Sequence, residues 1–265
     1  MKIQGQIDLP GDKSISHRAL MIASLSTKTS TIKNLASGKD VESTEDCLKK
    51  CNISISGNTN IEKIITGYTF QDPKSELDCG NSGTTIRLLS GLLASRNIKA
   101  TLIGDESLSK RPMGRIIRPL LKMNLSIIAK NNKTPIKIEK SDIKSIDHHS
   151  DISSAQVKSA VLFAGLGATN KTTYQEPFLS RDHTEIMLKS VGANIEIYDN
   201  KISIENMSQP LFPLNMRVPA DPSTAAFFAG AVSILPQSEI TLKNLLTNPT
   251  RFEFFNVIKL MGVDV

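Results

Sequence analysis

The stretch Leu48-Lys49-Lys50-Cys51-Asn52-Ile53-Ser54-Ile55 reads as a helix end turning into a strand, and it recurs three more times. Its counterparts are Leu121-Lys122-Met123-Asn124-Leu125-Ser126-Ile127-Ile128, Leu188-Lys189-Ser190-Val191-Gly192-Ala193-Asn194-Ile195 and Ile258-Lys259-Leu260-Met261-Gly262-Val263-Asp264-Val265. Stepping from 48 to 121, 188 and 258 gives spacings of 73, 67 and 70 residues, too regular for accident and too long for the common solenoid repeats. Outward from this stretch the same order of elements repeats. A first strand is expected at 6–9, 76–79, 149–152 and 215–218, each followed by a polar turn and a helix. The helix at 85–95 carries Ile86, Leu89 and Leu93 on one stripe. A second strand follows at 30–32, 99–103, 171–174 and 239–242. Next comes a second helix, clearest where Met113, Ile116, Ile117, Leu120 and Leu121 fall at helical spacing. A hairpin closes the unit, as where 195–197 turns through Asp199-Asn200 into 202–204.

Each unit is therefore βαβαββ, and the fold class is α/β in the broad, α+β sense. Three units make a complete domain over residues 14–213. Residues 1–13 plus 214–265 are expected to form part of a second domain. The fourth unit lacks its closing strand, which would leave an open sheet edge, so the chain reads as a fragment of a longer protein.

Composition narrows the function classes. The 265 residues are 39% hydrophobic and 22% charged, an ordinary globular balance that excludes wholesale disorder. The longest nearly apolar run, 225–235, is well short of the roughly 18–20 residues a bilayer-spanning helix needs. Three cysteines, Cys47, Cys51 and Cys79, make no disulfide scaffold and point to the reducing cytoplasm. The net charge of +6 favours acidic partners, but aromatic residues are only 5%, there is no Trp, and the cations are scattered. Discrete anionic pockets, rather than a tract for nucleic acid, are the expected use of that charge.

The chemistry-bearing residues stand at the strand-to-helix turns: 10–18, 79–87, 153–158 and 220–224. Small and hydroxyl residues before a helix leave backbone N–H groups free where the helix dipole is positive. Ser, Asn and Asp serve there as ordinary N-caps too. Lys13 next to Ser14 is not a capping requirement. Arg111 and Arg181 each precede an expected helix, an unfavourable place for a cation unless an anion lies between.

Five segments then become recognisable. Gly11-Asp12-Lys13-Ser14-Ile15-Ser16-His17-Arg18-Ala19, Gly80-Asn81-Ser82-Gly83-Thr84-Thr85-Ile86-Arg87, Lys110-Arg111-Pro112-Met113-Gly114-Arg115, Ser154-Ala155-Gln156-Val157-Lys158-Ser159-Ala160 and Ser180-Arg181-Asp182-His183-Thr184-Glu185 together resemble the 5-enolpyruvylshikimate-3-phosphate (EPSP) synthase family, in family order and from end to end. The resemblance implies an inside-out enolpyruvyl-transferase-like barrel with three units per domain. The implied reaction moves the enolpyruvyl group of phosphoenolpyruvate to the 5-hydroxyl of shikimate 3-phosphate, releasing phosphate in the shikimate pathway of aromatic amino acid biosynthesis.

By the same resemblance, Lys13 would lie between the two substrates as the catalytic cation. Ser14, Arg18, Ser154, Gln156 and Arg181 would hold shikimate 3-phosphate, with Arg18 on its carboxylate. Asn81, Gly83, Arg111 and Gln156 would line the phosphoenolpyruvate pocket. Ala155 departs from the branch of the family with a second serine there, and Ser153, one residue earlier, is expected to point elsewhere. Asp221 is expected to cap a helix. The family's acidic proton-transfer residues lie in later units, so this chain alone is expected not to turn over. No cofactor and no metal are implied. The partners are the two small molecules, with no nucleic acid and no membrane, and the protein is expected to be a monomer.

Three rivals remain at this stage. UDP-N-acetylglucosamine enolpyruvyl transferase shares the repeat but has Asn where Ser14 stands and uses a loop cysteine, and no cysteine follows Cys79. RNA 3′-terminal phosphate cyclase would need a nucleotide-attachment histidine. A non-catalytic anion- or nucleic-acid-binding fragment would need only the charge. Among weaker signals, Cys47 and Cys51 read as packing thiols, His148-His149 as a solvated turn, 130–133 as a hairpin tip, and Phe252, Phe254 and Phe255 as core of the second domain.

Overall fold

The computed structural model describes residues 2–59 and 61–265. The first repeat unit contains β1 (Gln4–Asp8), α1 (Lys13–Ala23), β2 (Ser30–Lys33), α2 (Lys39–Lys50), β3 (Ser54–Asn58) and β4 (Glu62–Thr66). The second contains β5 (Leu77–Asp78), α3 (Gly83–Ser95), β6 (Ala100–Ile103), a short α4 (Glu106–Lys110), α5 (Gly114–Lys122), β7 (Ile127–Ile128) and β8 (Ile136–Ile138). The third runs through β9 (Asp147–His149), α6 (Ala155–Gly165), β10 (Thr172–Gln175), α7 (His183–Ser190), β11 (Ile195–Tyr198) and β12 (Lys201–Ile204). The fourth adds β13 (Met216–Arg217), α8 (Pro222–Ser233), β14 (Glu239–Lys243) and α9 (Glu253–Leu260).

The recurring helix end has one physical cause in all four places. Asn52, Asn124, Gly192 and Gly262 take positive φ of 70°, 65°, 86° and 94°, the left-handed conformation that Gly and Asn tolerate best. The following N–H then reaches back to the last turn: Ile53 to Leu48 O (3.1 Å), Leu125 to Leu120 O (3.1 Å), Ala193 to Leu188 O (3.0 Å) and Val263 to Ile258 O (3.1 Å). This closure satisfies orphan carbonyls and aims the chain into the next strand.

Three four-stranded sheets result, ordered β13-β2-β4-β3, β5-β6-β8-β7 and β9-β10-β12-β11, and a two-stranded sheet pairs β1 with β14. In each four-stranded sheet the first two strands are parallel and the rest antiparallel. One strand departs from the order of the repeat while staying with the segment 214–265 to which residues 1–13 are assigned. Residues 4–8 do not join the first unit's sheet; β13 takes that place, parallel to β2, while β1 lies parallel to β14. Two chain passes therefore cross side by side, with Gly11 bridged to Ala220, Asp12 N–H bonded to Pro219 O (2.7 Å) and Asp221 N–H to Pro10 O (3.2 Å). A Cβ on Gly11 would fall 2.0 Å from Asn34 O, so only glycine admits this approach.

Two expectations are corrected. The helix α3, expected to bury one stripe, is buried around nearly its whole circumference, as are α1 and α6, because these helices occupy the interior with the sheets outside. The third unit's first strand lies at 147–149, so His148 is a strand residue against Tyr174 (ring centroids 5.5 Å apart) and Ile152 falls in the turn. The hairpin tip at 130–133 is a short 3-10 turn between β7 and β8.

Apolar packing separates into two clusters. The larger runs from Ile15 to Val218 across all three complete sheets. The smaller joins Leu9, Ala220, Ala225, Phe255 and Ile258. Phe252 stacks on Phe255 at 4.8 Å, while Phe254 is partly exposed and Phe227 is 81% exposed. Cys47 and Cys51 are buried packing thiols, and burial pushes the Cys51 thiol up to about 12.

Candidate functional site

The N-terminal turns of α1, α3, α6 and α8 converge on one cavity of about 370 Å³, lined by Lys13, Ser14, Arg18, Thr84, Ala155, Gln156, Arg181, Asp221, Ser223 and Arg251. Five of the residues expected from sequence, Lys13, Ser14, Arg18, Gln156 and Arg181, thus meet at one place although their elements are spread over most of the chain. Ser154 does not line this cavity. It is the N-cap of α6, immediately before Ala155.

Arg18 is 1% exposed, yet no carboxylate lies within salt-bridge distance among the described residues. Its Nε donates to Thr184 Oγ1 (2.6 Å), Nη1 to Ser14 O (2.9 Å) and Oγ (2.7 Å), and Nη2 to Ser159 Oγ (2.7 Å). Burial lowers its pKa to about 10, with Glu185 and Asp12 at longer range acting the other way. A guanidinium held by neutral groups at a cavity wall keeps its charge available to an anion. Lys13, by contrast, is exposed and rests its Nζ on Asp40 at 2.6 Å.

Asn81, Gly83 and Arg111 form a second group beside the cavity. Arg111 Nη2 donates to Asn81 Oδ1 (2.5 Å), and Asn81 Nδ2 donates to Asp105 Oδ2 (2.8 Å). A Cβ on Gly83 would stand 2.6 Å from Arg87 Nη1 and 3.5 Å from Arg111 Nη1. Gln156 links this group to the cavity, accepting from Arg87 Nη1 (2.7 Å) and donating to Thr84 Oγ1 (2.9 Å). The Arg87 pKa is lowered, first by burial and then by repulsion from Arg111 and Arg115. Such crowding of like charge is the setting an anion relieves.

The site differs from the sequence reading in particulars. Arg111 closes the short α4, which the sequence reading missed, and a cation is favourable at that C-terminal end. Its value as evidence for an anion therefore comes from the Arg87–Arg111 proximity, not from the helix dipole. Asp221 caps α8 as expected, accepting from Ser223 N–H at 2.8 Å, but it also accepts from Lys13 N–H (3.3 Å) and pairs with Arg251 (3.1 Å). Arg251 and Ser223 were not singled out from sequence; Arg251 Nη2 joins Asp12 Oδ2, Asp221 Oδ1 and Ser223 Oγ at the chain crossing. Arg87 stood in a quoted segment without a role. Ser153 donates to Phe178 O (2.6 Å), away from the cavity.

Two buried histidines bear on pH. His17 Nδ1 lies 2.7 Å from Thr44 Oγ1, and its pKa is lowered to about 3 by burial and then by Arg18; His183 is lowered to about 4, again chiefly by burial. Unfolding restores values near 6.5, so the unfolded chain binds more protons between about pH 4 and 6.5. Stability is full above 6.5 and falls as the pH drops, by about 2 kcal/mol per histidine at pH 5. Thermal melts of His17→Gln, which keeps a partner for Thr44, should show a shallower loss of Tm between pH 7 and 5 than the parent. An equally steep loss would show that His17 is not the group responsible.

Among the described residues no group of three or more His, Cys, Asp or Glu is arranged to hold a metal ion, and no helix is long and apolar enough to cross a membrane.

Interior helices framed by sheets, with cationic, hydroxyl-rich N-terminal turns facing one hollow, define a repeat-built α/β protein with a cation-lined cavity. Residues 1–265 match the family model described as EPSP synthase (3-phosphoshikimate 1-carboxyvinyltransferase), and the chain belongs to that family. It is 44% identical over 269 residues to the 3-phosphoshikimate 1-carboxyvinyltransferase of Desulforamulus reducens, covering 100% of this chain and 62% of that relative. With the Bacillus subtilis enzyme of the same name it shares 43% identity, covering 99% of this chain and 62% of the relative. The solved EPSP synthase of Acinetobacter baumannii superposes with a TM-score of 0.92 at 37% identity, over 99% of this chain and 60% of that one. The chain thus spans about 62% of the length of the curated relatives it matches. This family match favours EPSP synthase over UDP-N-acetylglucosamine enolpyruvyl transferase.

Proposed function

We propose that this protein supplies the shikimate 3-phosphate half-site and most of the phosphoenolpyruvate contacts of a cytoplasmic, monomeric 3-phosphoshikimate 1-carboxyvinyltransferase. The observation that carries the reading is that Arg18, Gln156, Lys13 and Arg181 line one cavity while Gln156 also reaches Arg87 beside Gly83 and Arg111. Two anion-binding groups joined by one amide suit two anionic substrates that must touch. Without cations, bringing a phosphate and a carboxylate on each partner together is strongly repulsive, increasingly so as water is excluded.

In this reading Arg18 takes the shikimate carboxylate, Ser14 its hydroxyls, and Ser154 with Arg181 its phosphate. Asn81, Gly83 and Arg111 receive phosphoenolpyruvate. Lys13 leaves Asp40 to stand between the substrates and stabilises the charge that builds as the hydroxyl attacks. No cofactor takes part. The division into residues 14–213 and 1–13 plus 214–265 is proposed with it, supported by the two apolar clusters; β13 extends the first body's sheet slightly past its boundary.

Titration calorimetry of the 265-residue chain with shikimate 3-phosphate tests the reading: saturable one-to-one binding is expected, and salt-sensitive RNA binding with no uptake of shikimate 3-phosphate would replace it with the nucleic-acid alternative. Gly83 adds a sharper expectation. A methyl there would displace the Arg87 guanidinium and disturb its bond to Gln156. In the full-length enzyme, Gly83→Ala should weaken glyphosate inhibition and raise the phosphoenolpyruvate KM, each by about tenfold or more, with the shikimate 3-phosphate KM little changed. An unchanged inhibition constant would rule out this role for Gly83.

A further inference from the structure

We propose that Glu176 is a positioning residue that builds the phosphate end of the ligand site, with Lys158 behind it as its charge partner; this rests on the proposed binding of shikimate 3-phosphate. Glu176 follows β10, is 1% exposed and does not line the cavity. Its carboxylate nevertheless holds both turns to which the proposed reading assigns the phosphate contacts, the one at Ser154 beside the cavity wall and the one leading to Arg181. Oε2 accepts from Ser154 N–H (3.2 Å), Oε1 from Ser180 N–H (2.8 Å), and the Ser180 hydroxyl lies 2.8 Å from each oxygen. Ser154 opens α6 and Ser180 precedes Arg181, so one carboxylate sets the distance between the hydroxyl and the guanidinium. Its own backbone is anchored by Glu176 N–H to Asn200 O (3.0 Å) and by Asn200 Nδ2 to Glu176 O.

A carboxylate behind a phosphate site should repel the ligand. Lys158 offsets that charge: its Nζ lies 2.8 Å from Glu176 Oε1 and 2.7 Å from Glu185 Oε1, none of the three side chains is exposed, and burial raises the Glu185 pKa towards its neutral form. The acceptor count explains why glutamate is needed. A carboxylate offers two oxygens and about four lone-pair directions, which four donors occupy here. Glutamine keeps the size but offers one oxygen, and its amide would set N–H against N–H at one of the two turns.

The test compares shikimate 3-phosphate with shikimate, which lacks the phosphate, by competition calorimetry on the parent chain and Glu176→Gln. The parent should prefer the phosphorylated ligand, and Glu176→Gln should cut that preference about tenfold while shikimate itself binds within about threefold of the parent. A preserved preference, or equal weakening of both ligands, overturns the positioning role. Failure of the parent to bind shikimate 3-phosphate would instead overturn the functional reading beneath it. Should Glu176→Gln not fold, Ser180→Ala removes one donor from the same carboxylate and should lower the preference about threefold; an unchanged preference there overturns the proposal equally.

Discussion

Lys158→Met is expected to cost about 3–5 kcal/mol of stability, the range for removing one member of a buried ion pair. The ammonium lies between Glu176 and Glu185 at 2.8 and 2.7 Å, and all three side chains are shielded from solvent. Methionine fills the same space but leaves two carboxylates with no adjacent cation. A protein of this size should lose roughly 6–20 °C in Tm. The pH dependence carries a sign that packing loss lacks. Burial already raises the Glu185 pKa and Lys158 opposes that rise, so the substitution raises it further. The folded variant then binds more protons than its unfolded chain above the unfolded value near 4.5, and its stability increases as the pH falls through the folded value. The gap between variant and parent should therefore narrow from pH 7 to 5, and Lys158→Met/Glu185→Gln should recover part of the loss. A constant gap would mean that the deficit is one of packing alone.

Arg18→Met should separate binding from folding. All the hydrogen-bond partners of the guanidinium are neutral, and they come from α1, α6 and α7. Removing it takes away a buried charge without orphaning another, so the stability change should stay within about 1–2 kcal/mol. The Ser159 and Thr184 hydroxyls, 2.6 Å apart, can satisfy one another. Affinity for shikimate 3-phosphate should fall at least about 100-fold, nearly 3 kcal/mol, the upper range for hydrogen bonds to a charged group. Lysine restores charge but not the planar fork, so Arg18→Lys should recover only part of the affinity. Calorimetry and thermal melts on the same samples decide it. A large fall in Tm with an affinity loss of only a few fold would make Arg18 a structural residue.

Much of the candidate cavity lining was legible in the sequence because its signals are short-range. Lys13, Ser14 and Arg18 share one turn and its helix, and Asn81 and Gly83 share another, so a local motif carries them. Arg87 and Arg251 were missed for opposite reasons. Arg87 lies inside a motif but acts through Gln156, 69 positions away. Arg251 lies in no recognised motif, and its partner Asp12 is 239 positions away. His148 was misplaced because the strand boundary fell two residues earlier than the apolar pattern suggested.

The amino-acid order by itself determined the repeat, the left-handed Asn or Gly that ends each repeat's second helix, and the cationic turns, since each depends on backbone torsions and bonds only a few residues apart. Only the tertiary structure decided that β1 and β13 trade sheets, that α1, α3 and α6 lie largely inside, and that Lys158 bridges two glutamates. A parallel strand can pair with any neighbour of suitable face, and a charge with any opposite charge brought near. Such choices are settled by which distant segments pack together, and a linear pattern does not encode that distance.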